Sequence, residues 1–253
     1  MARLLYNCVL YLAFPFFVAR MIFMSIRIPG YRHRFTQRFG FIDTFSLEGH
    51  ETIWVHASSV GEVFVAIPLI NSILEKYPGF KLVVTTTTPT GSALVRQHLG
   101  EKVIHFFAPW DLLGSVRRFV AKVNPKVLVL IEKELWPNMI WQTAASNCKI
   151  ILVNARLSSA SAARYRKFGT LVNDMLISLS CVACQSVEDG RRFKSLGLPS
   201  ERLVITGNIK FDIEISRSLE DEKLFLLESN CLTSRFVIVA ASTHQGEEKI
   251  ILE

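Results

Sequence analysis

Acidic residues are missing from the first 42 positions of this 253-residue chain. The same stretch holds Arg3, Arg20, Arg27, Arg32, Arg34 and Arg38, so the formal net charge of +7 is almost wholly a property of the N-terminus. A nucleic-acid groove spreads lysine and arginine over the folded body, and that pattern is absent; no nucleic-acid partner is expected. Cysteine is scarce. Cys8, Cys148, Cys181, Cys184 and Cys231 are odd in number and scattered, which excludes a disulfide framework and points to a reducing compartment. The six histidines, His33, His50, His56, His98, His105 and His244, show no metal-ligand spacing, so no metal or other cofactor is expected. Repeats and low-complexity stretches are lacking, and a hydrophobic content of 50% excludes disorder. One long apolar run occurs, which excludes a polytopic membrane protein.

That run, Leu4 to Ile26, is long enough to cross a bilayer. Asn7, Pro15 and Arg20 interrupt it, so an in-plane, interfacial helix is the alternative. Its basic residues mostly come after the apolar stretch and no small-x-small cleavage site is evident, which argues against a cleaved signal peptide. An apolar segment with arginines behind it suits an anionic membrane surface, and the positive-inside rule places the chain beyond Arg27 in the cytoplasm. Residues 1–30 are therefore expected to form a membrane anchor or interfacial helix.

Apolar or β-branched runs recur at 52–57, 81–87, 103–107, 127–131, 149–154, 176–184 and 203–206, and helical periodicity separates most of them. In 62–77, for example, Val63, Ala66, Ile67, Ile70 and Leu74 share one face, with Pro68 expected to kink or loosen a turn. Strands apolar on both faces, alternating with helices, predict an α/β fold with a parallel sheet covered on both sides. Residues 31–210 are assigned to one Rossmann-like domain, its alternating part beginning near residue 50. Residues 211–235 read as a polar, acidic linker. A new strand is expected at 236–241, and then the start of a helix. This looks like the beginning of a second α/β domain, 236–253, and the chain like the first half of a longer protein.

Ligands of open parallel sheets bind beyond the carboxyl ends of the strands, so the residues after each strand are informative. Ser58-Ser59-Val60-Gly61-Glu62 comes after the first. Glu62 falls in the first turn of a helix, where it is either a capping acid or a carboxylate able to take a proton from a substrate hydroxyl. A catalytic role requires it to face an open cleft. Glu132-Lys133-Glu134-Leu135-Trp136-Pro137-Asn138 comes after the fourth strand; its acids are either solvated charges at a helix start or part of a site. Arg156, after the fifth strand, suits a phosphate or an ion pair, and Lys210, after the last, a departing phosphate. Thr85 to Thr88 with Pro89-Thr90-Gly91 is a strand end and helix start without Walker spacing. Cys181 and Cys184 stand i, i+3 on a predicted strand, so they point to opposite faces and read as two thiols rather than a metal or redox pair.

Taken in order, Ser59-Val60-Gly61-Glu62, Thr87-Thr88-Pro89-Thr90-Gly91, Glu132-x-Glu134-Leu-Trp-Pro-Asn138, Asn154-Ala-Arg156-Leu-Ser158, Gly207-x-x-Lys210-Phe-Asp212 and Ser242-Thr243-His244-x-Gly246-Glu247 resemble the 3-deoxy-D-manno-octulosonic acid (Kdo) transferases of lipopolysaccharide biosynthesis. Each motif is weak alone; the series, in register to residue 253, is specific. The resemblance implies a GT-B glycosyltransferase whose N-terminal, acceptor-binding Rossmann-like domain is present with only the start of the donor-binding one. It implies Glu62 as catalytic base, and Glu132 and Lys210 as residues that stabilise the transition state. Ser59, Gly61, Thr88, Thr90, Glu134, Asn138 and Arg156 are implied for substrate binding, and Ser242, Thr243, His244, Gly246 and Glu247 for donor binding. Lys133, Asn208 and Gln245 depart from the residues more usual in the family at these places. The implied partners are CMP-Kdo as donor, a lipid A precursor (lipid IVA) as acceptor, and lipid of the bacterial inner membrane at its cytoplasmic face. A GT-B transferase for another nucleotide sugar and a non-catalytic, membrane-attached lipid-binding module are the alternatives.

Overall fold

The computed structural model describes residues 1–212, 238–241 and 243–252. Seven strands form one sheet: β1 (Glu51–His56), β2 (Phe80–Thr86), β3 (Ile104–Phe107), β4 (Pro125–Ile131), β5 (Lys149–Ala155), β6 (Cys181–Cys184) and β7 (Leu203–Ile205). Their order is β3-β2-β1-β4-β5-β6-β7, and every pairing is parallel. The order reverses between β1 and β4, the strands that together make the topological switch point of the sheet.

Both faces of the sheet are covered, because both faces are apolar. Ile53 and Val55 of β1, Leu82 and Val84 of β2, and Val129 and Ile131 of β4 pack with Val63, Ala66 and Ile70 of α2 (Val60–Lys76) and Val95 and Leu99 of α3 (Pro89–Leu99). The alternate residues Trp54, Val83, Leu128 and Leu130 face the other way. They join a core with α4 (Leu113–Val123), α5 (Pro137–Ala145), α7 (Gly169–Leu176) and α8 (Val187–Ser195). Trp54 is fully buried, its ring 4.8 Å from that of Phe119. Helix α2 runs on through Pro68.

Two expectations need correction. The apolar run 176–184 is not one strand: Leu176 ends α7, and only Cys181–Cys184 is extended. Val172, Met175 and Leu176 are buried on one helical face, a spacing that a short apolar run conceals. The predicted strand at 236–241 has its first two positions outside the described residues, and Ile238–Ala241 adopts no regular structure. A short helix, Glu247–Leu252, does come next, with the His244 N–H donating to Glu247 Oε2 at 2.8 Å. The linker 211–235 lies almost wholly outside the described residues, as does Ser242.

Helix α1 (Ala2–Arg27) is continuous through Pro15. It is attached to the domain along its length. Arg3 pairs with Asp174 at 3.4 Å, Tyr6 donates to Asp111 at 2.7 Å, and Asn7 accepts from the Asn138 amide at 2.9 Å. Phe14 packs edge-on to Trp110 at 4.9 Å, and Ser25 near the far end is buried and accepts from Arg32. These contacts span about 33 Å of helix at 1.5 Å per residue. The opposite face, including Leu4, Val9, Leu12, Phe16, Phe23 and Ile26, is exposed.

The basic segment after α1 is only partly available to outside anions. Arg38 is buried and donates to the Thr87 carbonyl at 2.8 Å, and Arg34 donates to the His105 carbonyl and to Ser92. Burial, then the fields of Arg34 and Arg96, lowers the His105 pKa to about 3, so this ring stays uncharged beside them. Arg3, Arg20, Arg27 and Arg32 remain exposed.

Candidate active site

The sheet brings two acidic loops together at the switch point. Ser59 caps α2: its hydroxyl oxygen accepts the Glu62 N–H at 3.4 Å. Glu62 reaches back, Oε2 accepting the Ser58 N–H at 2.7 Å and Oε1 the Ser59 hydroxyl at 3.1 Å, in the manner of a capping box. Gly61, between them, is exposed. Glu62 is not open to a wide cleft as expected; it is 6% exposed. The capping reading is the one this geometry shows; the cleft that the catalytic reading requires is not open at this side chain, so that role needs the Ser59 hydroxyl to give way to an acceptor. Burial, then the field of Glu134, raises the Glu62 pKa to about 7, against the Ser58 N–H, His56 and the Ser59 hydroxyl. A carboxyl poised there changes protonation near neutrality, which suits proton transfer.

The second loop leaves β4. Glu132 adopts φ 58°, a left-handed conformation rare for a side chain other than glycine, asparagine or aspartate, and its N–H donates to the Val153 carbonyl. This turns the chain sharply after Ile131. The Glu132 carboxylate lies 3.8 Å from Lys210 Nζ, so these two expected partners meet. Glu134 Oε2 accepts the Trp136 indole N–H at 2.7 Å and lies 3.6 Å from His56 Nε2. Burial works against the charge on Glu134; His56, Trp136 and the Ser58 hydroxyl outweigh it and hold the pKa below the ordinary value.

The other expected residues are distributed differently. Thr88 caps α3 through the Gly91 N–H, with the Thr90 hydroxyl donating to it. Asn138 is fully buried, its amide committed to Asn7 and to the Asp111 carbonyl. Arg156 is exposed, and its guanidinium forms no ion pair among the described residues. Asn154, at φ 53°, accepts the Ile209 N–H, which steers the segment carrying Lys210 toward β5. Thr243, His244, Gly246 and Glu247 surround the start of the short helix Glu247–Leu252. His56 carries no role in the sequence reading, and Thr85 and Trp136 enter it only within longer motifs; the available signal was a histidine ending an otherwise apolar strand.

Residues 33–213 match the family described as 3-deoxy-D-manno-octulosonic-acid transferase. The chain belongs to this family. Among curated Kdo transferases, that of Haemophilus influenzae is 39% identical over the whole chain, which corresponds to 59% of that protein. That of Rickettsia felis is 36% identical over 79% of the chain and 42% of its own length. The chain thus spans about half the length of these members of the family. Among solved structures, a glycosyltransferase from Rickettsia africae aligns with a TM-score of 0.50 at 13% identity, over 74% of this chain and 51% of that one. A UDP-GlcNAc 2-epimerase from Neisseria meningitidis aligns at 0.51 and 12%, over 71% and 52%. At such identities these two establish the fold alone, that of an α/β domain.

Proposed function

We propose that the protein to which this chain belongs transfers Kdo from CMP-Kdo to lipid IVA with inversion at the anomeric carbon, and that this chain supplies the acceptor half of the site. The observation that carries the reading is the placement of Glu62 after β1 and of Glu132 after β4, at the one point where the strand order reverses. Glu62 Oε2 is committed to the Ser58 N–H. Oε1 holds only the longer Ser59 bond, which a primary hydroxyl of the acceptor can replace. Glu62 takes the proton of that hydroxyl, and the oxygen forms its bond to the anomeric carbon. The bond from that carbon to the phosphate oxygen breaks, and CMP departs with the electron pair. Lys210, exposed and near Glu132, offsets charge on the leaving phosphate, and Glu132 fixes the lysine and supports the positive character of the sugar.

The test is the product formed by the full-length protein from CMP-Kdo and tetra-acylated lipid A precursor, read by mass. The expected result is a gain of Kdo and no transfer from UDP-sugars. Transfer from a UDP-sugar would support the GT-B alternative, and acceptor binding without turnover would support the binding module.

The same reading puts the protein on the cytoplasmic face of the bacterial inner membrane. Attachment of α1 to the domain from Arg3 to Ser25 supports an in-plane helix over a spanning one, because a helix held along its flank cannot also be sheathed in lipid on all sides. Glutamates at Leu12, Phe16 and Phe23, all exposed, are expected to weaken binding to anionic vesicles at least ~100-fold, since each buried apolar side chain contributes about 1.5–3 kcal/mol. Co-sedimentation measures this, with unchanged thermal unfolding as the control. Undiminished vesicle binding would remove α1 from the membrane contact.

A further inference from the structure

The first two turns of α1 close on the start of α5. The Arg3 guanidinium lies over the Trp141 ring at 4.6 Å, and Tyr6 meets the same ring edge-on at 6.2 Å. One turn earlier on α5, Asn138 donates its amide to Asn7 Oδ1 at 2.9 Å. Asn7 is itself held, its own amide donating to the Arg3 carbonyl at 2.9 Å. Asn138 is fully buried and its Oδ1 has no hydrogen-bond partner, so two bonds from its amide, to Asn7 and to the Asp111 carbonyl, orient the side chain. Asp111 in turn accepts the Asn138 and Met139 N–H groups and the Tyr6 hydroxyl.

This junction is also one end of the acidic loop. Glu132 begins the loop, its N–H on the Val153 carbonyl, and Trp136 ends it, its indole N–H on Glu134 Oε2. Pro137, whose ring fixes φ, joins Trp136 stiffly to Asn138. Between the ends, the Glu134 and Leu135 N–H groups donate to the Ile131 and Lys133 carbonyls, at the root of the loop or within it, and Leu135 packs against the core. The place of the two carboxylates therefore depends on β4 at one end and, at the other, on the start of α5, which α1 grips.

We propose that Asn7 is a positioning residue for the transfer site: through Asn138 it fixes the start of α5, and so the loop that carries Glu132 and Glu134. Helix α1 then has one face toward lipid and another that helps to shape the site. The inference rests on the reading of this loop as part of that site.

Asn7→Leu separates attachment from positioning, because the two predict opposite signs. Leucine fills the space, removes the oxygen to which Asn138 donates, and makes α1 more apolar. If α1 only attached the protein to lipid, N7L would bind vesicles of phosphatidylethanolamine and phosphatidylglycerol at least as well as the parent and transfer Kdo at an undiminished rate. The expected result is undiminished vesicle binding with kcat lowered about tenfold, because small displacements of positioning groups act exponentially on rate. A second readout needs no substrate. In indole N–H NMR spectra of the full-length protein in detergent micelles, the Trp136 signal is expected to move in N7L. That of Trp54, which donates to Thr85 in the core, is expected to stay. A merely destabilising change lowers the folded fraction without moving the Trp136 signal of the folded molecule. In an N138A background N7L is expected to move Trp136 no further. An unmoved Trp136 signal or an undiminished kcat in N7L overturns the proposal, as does a shift that persists in full in N138A. Should N138A fail to fold, the Trp136 signal and kcat of N7L decide by themselves. Absence of Kdo transfer by the unsubstituted protein would sink the proposed reaction, while the Trp136 signal still decides whether Asn7 positions the loop.

Discussion

Glu62→Gln is expected to abolish Kdo transfer and, at the same time, to make the folded protein more stable above neutral pH. Loss of the proposed base should lower turnover by about 10²–10⁴-fold, the range for a general acid or base. The gain in stability comes from burial. The folded-state pKa of Glu62 is raised from 4.5 to about 7, so its contribution to stability is intact below pH 4.5 and lost as pH rises through about 7. Glutamine keeps the shape and still accepts the Ser58 N–H without carrying charge. The variant and the parent should therefore unfold alike in urea near pH 4. At pH 8.5 the variant should be ahead by on the order of 1–3 kcal/mol, allowing for residual solvent screening. Retained turnover would remove Glu62 from the chemistry, and an equal difference at both pH values would show that its charge is not what destabilises the fold.

Asp111→Ala should be among the most destabilising single changes in the domain, although it removes no large apolar group. Helix α5 begins after Trp136, which has no oxygen with which to cap it. Asp111 caps it from another loop: Oδ1 accepts the Met139 N–H at 2.8 Å and Oδ2 the Asn138 N–H at 3.0 Å, along with the Tyr6 hydroxyl at 2.7 Å. Alanine strands two buried N–H donors, each costing about 1–3 kcal/mol, and a half-buried hydroxyl, so a loss of about 3–5 kcal/mol is expected in chemical denaturation. Tyr6→Phe removes only the bond to α1 and should cost about 1 kcal/mol. A loss in D111A no greater than in Y6F would mean that the α5 N–H groups find other acceptors.

Legibility differs between the fold and the site. Six of the predicted strands lie within two residues of their observed bounds, because a strand buried on both faces is a run of β-branched and apolar residues set off by helical periodicity. The run 176–184 misled because its first part is the buried face of α7. Asn7 read as a flaw in an apolar helix, yet it is one of that helix's points of attachment, through Asn138. Arg34 and Arg38 read as surface charge, yet they tie the segment after α1 to backbone carbonyls of β3 and of the turn after β2.

The sequence by itself determined the alternation of strands and helices, the two-sided burial of the sheet, the one-signed charge of the N-terminal stretch and the loops in which polar residues cluster. These are local properties, fixed by residue type and spacing. Only the tertiary structure decided that β4 lies beside β1, since strand order depends on which pairings bury the most surface and no local pattern encodes it. That adjacency sets the half-buried Glu134 near the buried Glu62 and puts His56 behind them, and it is desolvation and mutual charge at that junction that give an ordinary glutamate a pKa near neutrality.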